Sequence, residues 1–405
     1  MAIFDTTGAE MKQRMNSLKK LPPYRHCATL TIIALLFTSM LFPGIPGTAQ
    51  ADGGAPNLAY VAGTPKGISV IDIQQQKVTG TIAVSGDPHA VMLSLDGRYL
   101  YVAQTALGQF TMLSAKTGQT ICTANVPGHP TLLTYDTTDN LLYAAANDAA
   151  SVTEIDGNSC NVVYTFKTSS PVYGLAVANV GSANGTSNQL WVSGTHSVTI
   201  LDTGKHTQLA NIPIAGGPQY ITFPPGTEAY VTTRQGDLDA VDFSTYHVVT
   251  LLTGGMFGPM DFDEITGEVF VPDQLHKQVD VLAPVSSGSS ALPQEPSHVY
   301  PLGVVPESVA ITGDGQLGFV ALSSGNVAMI DVPGEQIANT FTVGGTPHFI
   351  ITGLYPPAIG TTPQQSAVWE TVATVLAYVL VIALVLVPIY FFRRSMRKKG
   401  QMKKE

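Results

Sequence analysis

Seven residues each follow one of seven nearly evenly spaced prolines: His89, Thr131, Val172, Gln219, Met260, Glu307 and His348. Three of them carry chemistry. Two imidazoles and one carboxylate are the ligand types of a divalent transition metal with open coordination positions. His89, Glu307 and His348 are therefore a candidate metal site if the fold brings them to one rim. The competing reading is that the two Pro-His pairs only hydrogen-bond that rim. No other cofactor is expected.

Other side chains that could do chemistry read as structural. Gly313-Asp314-Gly315-Gln316-Leu317-Gly318 fits G-x-G-x-x-G, but a nucleotide fingerprint needs a following helix in a βαβ unit. A hairpin turn is expected there instead. No G-x-S-x-G, H-E-x-x-H, P-loop or paired C-x-x-C occurs, which removes the common readable hydrolase and zinc signals. Asp261, Asp263, Glu264 and Glu268 offer hard oxygen ligands of the kind calcium takes, but Ile265 stands where an EF-hand needs a ligand. A solvated hairpin turn is the expectation. Asp72, Asp156, Asp202, Asp242 and Asp331 precede turns, where a carboxylate can accept backbone N–H groups. Cys122 and Cys160 fall at positions of successive repeats that differ by about four residues. Two unpaired thiols are expected, with a bridge between neighbouring units as the alternative.

The elements that must position these residues follow from the spacing. Pro88, Pro130, Pro171, Pro218, Pro259, Pro306 and Pro347 recur at steps of 41 to 47 residues. Each repeat carries an aromatic-aliphatic pair: Tyr60-Val61, Tyr101-Val102, Tyr143-Ala144, Trp191-Val192, Tyr230-Val231, Phe270-Val271 and Phe319-Val320. Self-similarity of about 40–50 residues, rich in short β-type runs and Gly/Asp turns, reads as a β-propeller. The second repeat divides into four strands, 89–95, 99–104, 109–114 and 119–126, with Asp96-Gly97 and Thr117-Gly118 as turns. The first strand of each unit is nearly all apolar, which predicts burial around the central axis. Residues 57–82 lack an innermost strand, and 345–353 supply one with nothing after it. The expectation is an all-β, seven-bladed propeller over 57–353, closed by strands from both ends of the array. Two blades carry surplus residues. GSANGTSN should enlarge the turn between strands one and two of the fourth blade, and PVSSGSSALPQEPS the turn between strands three and four of the sixth.

Both ends read as membrane-type. Residues 1–51 combine a basic flank, an apolar stretch and an Ala49-Gln50-Ala51 site, which predicts a secretory signal peptide, with an uncleaved anchor as the competing reading. Residues 354–367 make a linker, 368–392 a single transmembrane helix and 393–405 a basic cytoplasmic tail holding Arg393, Arg394, Arg397, Lys398, Lys399, Lys403 and Lys404. The repeats are thus expected outside the cytoplasm. From Asp52 to Ser366 there are 25 Asp plus Glu against 8 Lys plus Arg. A domain this acidic repels nucleic acid.

Tyr60-Val61-Ala62, Ile71-Asp72 and Lys77-Val78, followed by Pro88-His89 and Asp96-Gly97-Arg98-Tyr99-Leu100-Tyr101-Val102-Ala103, resemble the YVTN-repeat β-propellers, the group of YncE-like secreted proteins and surface-layer repeats. The resemblance covers residues 57–353. It is strongest over 58–73, 86–102 and 315–343, and Ser114 departs from it where five other repeats have Asp. It implies an exported prokaryotic seven-bladed propeller and leaves activity open, since fold does not fix function. The expected role is a membrane-anchored extracytoplasmic scaffold that binds a protein, glycan or envelope component. The alternative is an enzyme, lactonase-like or lyase-like and metal-assisted, with its site at the mouth of the central channel.

Overall fold

The computed structural model describes residues 58–182, 185–225, 227–285 and 292–353. They form seven antiparallel four-stranded sheets, one per repeat, which make a seven-bladed β-propeller. The first blade is closed as the sequence implies. Its innermost strand, Phe349–Gly353, pairs with Leu58–Thr64, which is followed outward by Gly67–Asp72 and Lys77–Ala83. The second blade runs Pro88–Leu93, Tyr99–Gln104, Gln109–Ser114 and Thr120–Asn125, within two residues of expectation at each end.

The recurring aromatics are the reason the blades stack. Tyr60, Tyr101, Tyr143, Trp191, Tyr230, Phe270 and Phe319 lie on the second strands, each no more than 1% exposed. Each ring buries on the order of 150–250 Å², and the period of the aromatic is the period of the ring. Trp191 shows the packing: Phe223 and Phe243 of the next blade meet it edge-on, with centroids 5.3 and 5.4 Å away.

Burial along a blade differs from the sequence expectation. The second strands are the most buried, as in Leu317–Leu322, while the innermost strands stay partly accessible, as in Phe349–Gly353. The reason is geometric. The inner faces of the first strands line the central channel instead of packing on one another. The outermost strands alternate between exposed and buried, as in Gln336–Thr342.

The repeated aspartates act as read. Asp72, Asp156, Asp202, Asp242 and Asp331 accept backbone N–H bonds from Gln75, Ser159, Lys205, Ser244 and Gly334 at 2.8 to 3.1 Å. Four residues after each, at Gln76, Cys160, His206, Tyr246 and Glu335, φ is positive, between 50° and 58°. Anchoring by the carboxylate holds side chains other than glycine in a conformation they rarely adopt. In the second blade Ser114 accepts from Thr117 at 3.2 Å, and Gly118 occupies the left-handed position.

Three expectations need correction. Cys122 and Cys160 are joined by a disulfide, with sulfurs 2.07 Å and Cα atoms 5.8 Å apart. Their non-equivalence is what permits it: Cys122 lies on the outermost strand of the second blade and Cys160 in the turn between the outer strands of the third. The surplus residues of the fourth blade extend its first hairpin more than its turn, with Gly174–Ser182 and Gly185–Ser193 paired throughout from Gly174–Ser193 to Ser182–Gly185. The cluster at 261–268 is only half solvated. Asp263 is buried and accepts from Ile265 N at 2.9 Å and Thr266 Oγ1 at 2.8 Å. Asp261 Oδ2 accepts from Ile311 N of the next blade at 2.7 Å.

The sixth-blade insertion does enlarge its turn, and its described part packs back on the fifth blade. Val285 N donates to the Tyr230 hydroxyl at 2.8 Å, and Glu228 N donates to Val285 O at 2.9 Å. Among the described residues no helix is long and apolar enough to cross a membrane. The expected signal peptide at 1–51, linker at 354–367, span at 368–392 and tail at 393–405 lie outside the described residues.

Candidate functional site

A cavity of about 360 Å³ opens on the axis at the end of the ring where the prolines lead into the innermost strands. Five of the seven post-proline residues line it: His89, Thr131, Met260, Glu307 and His348. Val172 does not. The innermost strand of the fourth blade begins only at Gly174, and Val172 is fully buried against Leu190 and Val192. Gln219 is not in the lining either, and Tyr220, the next residue, stands there instead.

Sequence reasoning missed Tyr220, Gln274, Phe262 and Phe223, all of which line the cavity. Gln274 comes from the turn between the second and third strands of the sixth blade, so no innermost-strand pattern could have marked it. Tyr220 stands one residue past the position that the proline marks, so the post-proline pattern passed over it.

His89 and His348 come together. Their rings stack with centroids 4.4 Å apart and planes 27° from parallel. His348 Nε2 lies 3.8 Å from Asp87 Oδ1 and 3.5 Å from Thr346 Oγ1. Gly63 makes room for this arrangement: with φ +85°, a Cβ there would come within 2.7 Å of His348 Cδ2 and 2.3 Å of Thr346 O. Only glycine supplies both the conformation and the space.

Charge at the mouth is set by burial. His89 is pushed down to about 4, first by loss of water, then by repulsion from His348, with Asp87 acting in the opposite sense. Glu307 is raised by burial, and His348 partly offsets that rise. Its Oε2 receives a long bond from Gln274 Nε2, 3.4 Å. The Tyr220 hydroxyl is raised by burial, with Gln219 opposing and Glu307 adding to the rise. At neutral pH the mouth thus holds an uncharged His89 and a carboxyl raised above the ordinary range.

Stacked imidazoles direct their nitrogens along parallel planes, whereas metal ligation needs lone pairs that converge in the ring planes. Among the described residues no group of three or more His, Cys, Asp or Glu is gathered to hold a metal ion. What the arrangement offers is a cup with polar groups at Glu307, Gln274, Tyr220, the histidine pair and three threonines, between apolar and aromatic walls.

No family model matches the chain, and no curated protein matches it. Solved structures do. A functionally unknown protein from Desulfotomaculum acetoxidans aligns with TM-score 0.61 and 12% identity over 74% of this chain and 99% of its own. A candidate 6-phosphogluconolactonase from Bacteroides uniformis aligns with TM-score 0.58 and 16% identity over 72% and 98%. Kuenenia stuttgartiensis hydrazine synthase aligns with TM-score 0.57 and 17% identity over 71% and 99%. At such identities the likeness shows the fold alone: the chain is a seven-bladed β-propeller.

Proposed function

We propose that this chain is an extracytoplasmic binding propeller of the YVTN-repeat kind, tethered to the membrane by its C-terminal apolar segment, and that its channel mouth receives a small ligand or a projecting group of an envelope partner. The observation that carries the reading is the axial cavity, concave and lined about equally by polar groups and by apolar and aromatic side chains, the kind of concave site where ligands bind. The Cys122–Cys160 bridge supports the compartment, since structural disulfides persist in oxidising surroundings. The acidic balance argues against a nucleic-acid partner.

A second reading is an enzyme at the same mouth, lactonase-like or lyase-like. It is favoured by the opposite shifts of His89 and Glu307, a lowered imidazole and a raised carboxyl lining one cavity, which is the kind of pairing acid–base sites use. A divalent ion on His89, Glu307 and His348 belongs to this reading and requires the imidazoles to leave their stack. One equivalent of metal in the purified full-length chain, lost in His89→Ala plus His348→Ala, would favour the enzyme. The binding reading is tested by Thr131→Trp, which fills the cavity. Ligands or envelope partners captured by the wild type should be lost with the melting temperature preserved, and capture that survives a filled mouth would refute the reading.

A further inference from the structure

We propose that the channel mouth takes an organic monocation, an ammonium group on an apolar body, with Glu307 as its counter-ion. The inference rests on the reading of the mouth as a ligand site.

The charge inventory of the lining points one way. It includes no lysine or arginine, a single carboxylate, Glu307, and the two histidines. Among the described residues, the one hydrogen bond to that carboxylate is the long contact from Gln274. A carboxylate half-removed from water with no lysine or arginine against it carries a desolvation cost that His348 offsets only in part. Burial accordingly holds Glu307 above the ordinary carboxyl range. A bound ammonium supplies the missing charge.

The imidazoles supply it only in part. His89 is kept neutral by its burial, and His348, which partly offsets the rise of Glu307, also turns its Nε2 toward Asp87 and Thr346. The remaining walls suit the rest of such a ligand. Tyr220, Phe223, Phe262 and Phe349 provide aromatic surface, and Met92 and Met260 are adaptable apolar fillers. An anion would meet no positive side chain here and an ectodomain with a large acidic excess.

The groups facing Glu307 also set the pH dependence. They are Gln274 of the sixth blade, Tyr220 of the fifth and His348 of the first, with His89 and Asp87 of the second beyond His348. Acidification protonates Glu307 and in the end charges His89, and both changes disfavour a cation. Binding should tighten as pH rises through the Glu307 titration.

Calorimetry on the purified full-length chain with benzyltrimethylammonium, benzyl alcohol and benzoate tests this. At about pH 8 the ammonium should bind one per chain, about tenfold or more tighter than either other probe, and should weaken on acidification. Glu307→Gln should bring the ammonium down to the level of benzyl alcohol with an unchanged melting temperature. Benzyl alcohol or benzoate binding as tightly as the ammonium, in a manner lost in Thr131→Trp, would overturn the cation and leave the mouth as a ligand site. Ammonium binding that survives Thr131→Trp, or no binding by any probe, would overturn the proposal at this mouth.

Discussion

Asp261 shows how much one side chain's meaning depends on its neighbour across a blade boundary. Its carboxylate is pushed up to about 7, first by burial, against backbone bonds from Ile311 and Phe262 and with a further push from Glu264. The Ile311 carbonyl in turn accepts from Thr352 Oγ1 at 3.1 Å, so the innermost strands of the sixth, seventh and first blades are tied in series. A carboxyl whose folded-state value exceeds its unfolded value holds a proton that the unfolded chain has already released. Stability therefore falls as pH rises from about 4 to about 7 and is level above that. Asp261→Asn keeps an acceptor for Ile311 and removes the charge. Urea denaturation at about pH 5 and pH 8 should show the wild type losing about 1 kcal/mol more than the variant between the two, a figure halved for partial exposure. Parallel pH slopes would show that Asp261 is not the group responsible.

At the scale of the element, the turn after each third strand is a unit of local chemistry. Asp242 accepts from Ser244 N and Oγ and from Thr245 N and Oγ1 at 2.6 to 2.9 Å. These bonds, the Ser244 hydroxyl foremost, hold the carboxylate well below its usual range. Its contribution is present above the unfolded value of about 4 and is lost as pH falls toward the lowered one. Asp242→Ala should cost about 1 kcal/mol in chemical denaturation, and Asp242→Asn, which retains an acceptor, should cost less. Equal losses in the two variants would mean that the acceptor is not what the turn needs. These turns were legible because the Asp and its partners lie within a few residues. The long hairpin of the fourth blade was not, since the same GSANGTSN run could loop or pair and only the register from Gly174 to Ser193 decides.

For the whole molecule, ring closure and the disulfide act on different boundaries. The strand Phe349–Gly353 joins the last segment of the array to the first blade, while Cys122–Cys160 ties the second blade to the third. The bridge encloses a separation of 38 residues, for which a chain-entropy estimate is about 4 kcal/mol. Cys122→Ser plus Cys160→Ser should lower the melting temperature by several degrees without changing the far-ultraviolet dichroism, and reductant should do the same to the wild type but leave the variant unmoved. A reductant effect of equal size on the variant would assign the loss to something other than this bond.

What this sequence determined by itself is everything written in local chemistry and repeated seven times. A proline that opens each first strand, an aromatic that stacks each second strand, and a carboxylate that folds the turn after the third in most blades act over a few residues, and their period counts the blades. What only the tertiary structure decided lies between blades: the bond between two cysteines at unlike repeat positions, the stack of His89 on His348, the reach of Asp261 to Ile311, and Tyr220 rather than Gln219 at the channel. Each depends on how one blade sits against the next. That is set by packing across the ring, where residues far apart in sequence meet, and no local period encodes it.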